Sequence, residues 1–116
     1  MSEATLFTKI INKEIPADIV YEDDRCICIK DISPQAPTHV LLIPNKPIPR
    51  LVDAEEADHE LLGYLMGRVN VIAKKLGIED AFRVVINNGS GAGQTVFHLH
   101  IHILANKTFE ESGLGF

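Results

Sequence analysis

The chain has no tryptophan, only two cysteines, and aromatic side chains at just 6% of its length. No apolar run approaches the roughly 18 residues needed to cross a membrane, and Met1 to Leu6 has neither the basic start nor the apolar core of a secretory signal. These absences predict a cytosolic protein with no membrane partner. Cys26 and Cys28 flank a single residue of a predicted strand, where a bridge between them would be strained. They read as reduced thiols, with soft metal ligation as the other use. Also missing is any basic stripe interleaved with aromatics. A net charge of −5 argues against a broad nucleic-acid surface, so a phosphate ligand would have to be held locally by backbone N–H groups and imidazoles. Internal repeats and low-complexity segments are absent too.

What remains is an ordinary globular composition, 46% hydrophobic and 23% charged over 116 residues, which suits one domain spanning 1–116 with a core of about 5–104 and a tail, 105–116. Leu6, Phe7, Ile10 and Ile11 fall at helical spacing, predicting a short helix over Thr5–Lys13 that Ile15-Pro16 closes. Ile19–Tyr21 and Arg25–Lys30 read as a hairpin turned through Glu22-Asp23-Asp24. Asp31–Pro37 is a loop, Thr38–Ile43 an apolar strand, and Pro44–Pro49 irregular. The longest element is an amphipathic helix over Ala54–Leu76, with Leu61, Leu62, Leu65, Met66, Val69, Ile72, Ala73 and Leu76 on one stripe. Asp53 with Glu56 is its expected start, and Lys74, Lys75 and Gly77 its stop. Phe82–Asn87 is a strand, Asn88–Gln94 a glycine-rich loop, and Thr95–Leu104 another strand. The tail from Lys107 shows no periodicity. This order lacks βαβ alternation and predicts an α+β domain with a mostly antiparallel sheet.

The last strand carries the chemistry. His98, His100 and His102 alternate with Leu99 and Ile101, so all three imidazoles are expected on one face, with Phe97, Leu99, Ile101 and Ile103 buried on the other. Same-face neighbours lie about 6.6 Å apart and the outer pair about 13 Å, so one metal ion, bound at about 2.1 Å, could take at most two of them. The preceding loop offers a different use. Gly89, Gly91 and Gly93 let the backbone approach an anion closely, while Asn87 and Thr95 add an amide and a hydroxyl. A neutral imidazole is a competent nucleophile, and a neighbouring one could stay protonated beside phosphate oxygens. Metal, phosphate and a plain hairpin turn all remain open on the residues alone.

The pattern His98-Leu99-His100-Ile101-His102-Ile103-Leu104 resembles the signature of the histidine triad (HIT) superfamily. Asp31-Ile32-Ser33-Pro34-Gln35-Ala36-Pro37-Thr38-His39, followed by Val40-Leu41-Leu42-Ile43-Pro44, is similar to its Hint branch of nucleotide-binding proteins, as is Phe7-Thr8-Lys9-Ile10-Ile11 leading to Ile15-Pro16. That resemblance implies a five-stranded HIT-like fold, with one short and one long helix and the sheets of two protomers joined in a homodimer. It implies a purine nucleoside phosphoramidase that binds AMP or GMP and releases it through a nucleotidyl adduct on His100, with no metal or other cofactor. His98 and His102 would flank the nucleophile, His98 fixing its tautomer and His102 contacting phosphate, with His39 in the same cluster and Thr95 relaying a proton. Asp31 would hold the ribose, and Asn87, Gly93, Gln94 and Thr95 the phosphate or departing group. Leu6, Phe7, Ile10, Ile29, Ile32 and Leu41 would line the base pocket. Other functions compatible with the resemblance are dinucleoside polyphosphate hydrolysis and nucleotide binding with incidental catalysis; a metal-dependent enzyme is a third possibility. The chain departs from the family pattern at Ala105-Asn106, at Gly91-Ala92-Gly93, at Thr95 and throughout the tail.

Overall fold

The computed structural model describes residues 4–113, so the first three residues of the Met1 to Leu6 stretch and the last three of the tail lie outside it. Helix α1 spans Leu6–Ile11 and is capped by Thr5, whose hydroxyl accepts from the Thr8 N–H while the Thr8 hydroxyl accepts from the Thr5 N–H, each at 3.3 Å. Strands β1 (Ile19–Glu22), β2 (Cys26–Lys30), β3 (Thr38–Pro44), β4 (Phe82–Val85) and β5 (Ile101–Ala105) form one antiparallel sheet in the order β1-β2-β3-β5-β4. The long helix α2, His59–Lys75, covers one face. The expected α+β architecture is therefore present.

Both faces of the central strands are covered, which is why β3 is apolar almost throughout. On one side Cys26, Cys28, Val40, Leu42, Ile101 and Ile103 pack against Leu65, Val69 and Ile72 of α2. Phe7 and Ile10 of α1 close the other side over Ile27, Ile29, Leu41 and Ile43. Both thiols are free and fully buried under α2, and burial pushes each up to about 12, so they are inert protonated core residues. Among the described residues, no helix is long and apolar enough to cross a membrane.

Three expectations are corrected. The long helix starts at His59 rather than Ala54, because two aspartates draw the chain into single 3-10 turns, Leu51–Asp53 and Glu56–Asp58. Asp53 does not cap α2: its carboxylate accepts from the Arg50 N–H and guanidinium at 2.9–3.0 Å, and the Asp58 carboxylate takes the Glu55 N–H at 2.9 Å. The histidine strand begins at Ile101 rather than Thr95. Beyond Leu42↔Ile101, β3 ends in Pro44, which has no N–H to donate, and the Leu99 N–H goes instead to the Ile48 carbonyl at 2.6 Å. Finally, Met66 and Phe97 are 45% and 41% exposed, outside the core stripes that periodicity assigned them.

Ile72 is fully buried between α2 and the sheet. Ile72→Ala is expected to cost about 2–5 kcal/mol of stability, read as a lower urea midpoint at unchanged slope. Circular dichroism is the suitable probe because the chain has no tryptophan.

Candidate active site

Strand register builds the site. Leu41 of β3 sits opposite His102 of β5, and His39 opposite Leu104, so His39 and His102 share the face on which α1 lies. Their rings meet, with Nε2 of His39 2.9 Å from Nδ1 of His102. Asp31, from the loop after β2, brings a carboxylate oxygen to 3.4 Å from the same Nε2, and its other oxygen accepts the Ser33 N–H at 2.8 Å. The Gln35 N–H donates to Nδ1 of His39 at 3.0 Å.

His100 lies just before β5, its ring 5.1 Å from that of His102 and edge-on to Phe7 at 4.9 Å. Its Nδ1 is 2.8 Å from the main-chain oxygen of His98. A carbonyl only accepts, so Nδ1 carries the hydrogen and Nε2 keeps the lone pair. The tautomer of His100 is thus set by the His98 backbone, not by the His98 imidazole. That imidazole is 1% exposed, and its Nε2–H donates to the Pro44 carbonyl at 2.7 Å. It braces the segment where β3 ends. Among the described residues its Nδ1 is buried without a hydrogen-bond partner.

Burial sets the electrostatics. Desolvation lowers the pKa of His39, His98 and His100 below the ordinary imidazole value, only partly offset by Asp31 at His39, by the Pro44 carbonyl at His98, and by the His98 carbonyl and Asp31 at His100. His102 is pushed furthest, to about 4, by burial first and then by the neighbouring His100 and His39, against a smaller pull from Asp31. Burial thus favours the neutral form of His102 in this site.

A cavity of about 540 Å³ opens between α1 and this face, a size suited to a small-molecule ligand. Leu6, Phe7, Ile10, Ile29, Ile32 and Leu41 form its apolar wall, and Asp31, Thr95, His100 and His102 its polar end. Sequence reasoning missed the segment Ile15–Asp18, Lys30, Ser33 and Val96, which also wall it. Ile15-Pro16 carried a signal, but only as a helix stop. Asn87, Gly93 and Gln94 are not among the walls. Gln94 is 3% exposed and fully engaged: its side-chain oxygen accepts from Gly89 N–H at 2.8 Å, and its amide donates to the carbonyls of Pro49 and Val96 at 2.8 and 3.0 Å. It therefore holds the glycine loop to the chain before the first 3-10 turn. Gly93 closes that loop at φ +97°, a conformation other residues rarely adopt, with Asn87 against it.

Asp31, His39 and His102 place ligand atoms within 4.8 Å of one another, a three-residue group that sequence spacing did not reveal. The hydrogen bonds argue against its use for a metal. Because Nδ1 of His39 accepts a backbone N–H, its Nε2 carries the hydrogen and has no lone pair to offer an ion.

An antiparallel sheet with a short helix on one face, and a cleft between them ending in buried imidazoles, defines a small α+β protein with a histidine-lined cavity. The HIT domain model matches residues 12–109, and the chain belongs to that family. It is 60% identical over 109 residues to an uncharacterised HIT-like protein of Synechocystis, covering 94% of this chain and 96% of that protein. It is 49% identical over 105 residues to a 14 kDa zinc-binding protein of maize, covering 89% and 82%. Among solved structures it superposes on a HIT family hydrolase of Legionella pneumophila with a TM-score of 0.92 and 40% identity, covering 97% and 100% of the two chains. A histidine triad nucleotide-binding protein of Candida albicans gives 0.78 and 30%, covering 86% and 73%.

The depressed histidines make stability pH-dependent. The unfolded chain takes up protons near pH 6.5, whereas folded His102 does so only near 4, so the unfolded state binds more protons throughout that window and stability falls as pH drops through it. The melting temperature is expected to decline from pH 6.5 to 4, and less steeply in His102→Asn. A flat profile in the native chain would contradict this.

Proposed function

We propose that the protein is a hydrolase of purine nucleoside 5′-phosphoramidates, forming AMP or GMP through a transient nucleotidyl adduct on Nε2 of His100. The observation that carries this reading is the Nδ1–H of His100 held on the His98 carbonyl at 2.8 Å, in a residue that walls the cavity. That bond leaves Nε2 as the nucleophilic atom. In the first step Nε2 attacks the α-phosphorus and the P–N bond breaks. The departing amine takes a proton that a water molecule supplies through the Thr95 hydroxyl, leaving hydroxide, while the positive charge gained by the ring is stabilised by the His98 carbonyl. In the second step that hydroxide attacks the phosphorus, the bond to Nε2 breaks, and neutral His100 is restored with release of the monophosphate. The carboxylate of Asp31 suits a ribose diol, and the apolar wall from Leu6 to Leu41 suits a purine face.

The names of the Legionella hydrolase and the Candida nucleotide-binding protein support this class of activity. The same reading includes a cytosolic location and a homodimer. Dimer formation is supported by β4, an edge strand of the sheet, and by Val84 on it and Val71 on α2, which are 37% and 38% exposed.

Incubation with adenosine 5′-monophosphoramidate in chelator is expected to release AMP, with an adenylyl adduct on His100 visible by mass spectrometry. His100→Ala is expected to lose at least about a thousandfold in kcat/KM while keeping its fold. Full activity in that variant, or dependence on added zinc, would overturn the reading. Light scattering is expected to give twice the chain mass.

A further inference from the structure

We infer that His39 is a positioning residue which, held by the backbone N–H of Gln35, fixes the tautomer of His102 so that His102 donates a hydrogen bond to the substrate as a neutral imidazole. The inference rests on the proposed reaction for its catalytic meaning, but its structural content stands on two hydrogen bonds in a row.

The chain of donors has one direction only. An amide N–H donates, so Nδ1 of His39, 3.0 Å from Gln35 N, must be the bare nitrogen. Neutral His39 then carries its hydrogen on Nε2. That atom is 2.9 Å from Nδ1 of His102 and 3.4 Å from the Asp31 oxygen. The shorter contact takes the hydrogen, since 3.4 Å is beyond an ordinary N–H···O bond. His102 therefore accepts at Nδ1 and must carry its own hydrogen on Nε2. It walls the cavity beside His100, so a donor stands next to the nucleophile without any positive charge.

This matters because two adjacent imidazoles of free tautomer would be ambiguous. If His102 bore its hydrogen on Nδ1, its Nε2 would meet phosphate oxygens lone pair to lone pair, and the two would repel. A protonated His102 would solve that, but only by placing a cation against His39 and His100 in a site where burial opposes charge. Among the described residues, the groups facing His102 include His39 from β3, Asp31 from the loop after β2, and His100 from the segment before β5; the α1 residues that wall the cavity, Leu6, Phe7 and Ile10, are apolar. The loop that carries Asp31 also carries Gln35, so the segment proposed to hold the ribose also sets the donor on the phosphate side.

Two-bond nitrogen–proton correlation spectra of the 15N-labelled native protein at pH 7 test this without any substrate. His102 is expected as the Nε2–H tautomer with a bare Nδ1, and an Nδ1–H or mixed tautomer would overturn the inference. His39→Leu is expected to release His102 into a tautomer mixture and to lower kcat at least about tenfold with little change in KM. In that variant the acid limb of the kcat profile should also move toward the ordinary imidazole value. His39→Gln, whose amide N–H can donate to His102, is expected to recover much of the lost kcat and the Nε2–H tautomer. Retention of the single tautomer and of kcat in His39→Leu would sink the proposal. If the native protein turns over no phosphoramidate while His102 shows the Nε2–H tautomer, the proposed reaction fails and the assignment of His39 stands.

Discussion

The antiparallel ladder between β3 and β5 runs from Thr38↔Ala105 to Leu42↔Ile101 and stops there, and the site depends on both its extent and its end. Its extent brings His39 and His102, far apart in the chain, to 2.9 Å on one face of the sheet. Its end releases the chain before Ile101, so His98 and His100 are no longer bound by strand alternation. The break has a local cause in Pro44, which cannot donate and whose carbonyl is taken by His98. With the ladder ended, the His100 ring folds back onto the His98 carbonyl, a contact that a side chain in a regular strand would not make with the backbone two residues earlier. A single interruption in the sheet thus produces the tautomer of His100.

Burial then imposes a second condition on the same residues. Desolvation opposes protonation at all four imidazoles, and repulsion from neighbouring rings adds to it at His98 and His102, so the neutral forms are favoured. Neutral imidazoles are donors or acceptors only according to which nitrogen holds the hydrogen. Backbone groups decide this at three of them: the Gln35 N–H at His39, the Pro44 carbonyl at His98 and the His98 carbonyl at His100. His102 has its state passed on by His39. The site is organised by main-chain groups acting through side chains, which gives it fixed hydrogen positions without a charged partner for each ring.

Much of the fold was legible because its elements obey simple periodicities. The apolar spacing of Leu6, Phe7 and Ile10, the stripe Leu65-Val69-Ile72 and the continuous run of β3 each matched a buried face. Failures came where one residue had a local partner that periodicity does not see. Asp53 engages Arg50 and cannot cap α2. Alternation across Phe97 to His100 promised a strand, yet Leu99 pairs with Ile48 of an irregular segment. At Gln94 nothing in the sequence signals that its side chain bonds three backbone groups around the glycine loop.

The sequence alone determined which chemistry is available: three alternating histidines, a fourth in the Asp31 to His39 segment, a carboxylate and an apolar helix, in an order similar to the HIT superfamily. It did so because residue type and short-range spacing fix side-chain chemistry and local periodicity. Only the tertiary structure decided which ring nitrogen of each histidine carries the hydrogen. Tautomer and charge depend on which backbone carbonyl or N–H lies within about 3 Å of a ring nitrogen, and those groups belong to Pro44, Gln35 and His98, whose approach is set by where a sheet ladder ends and how deeply the rings are buried.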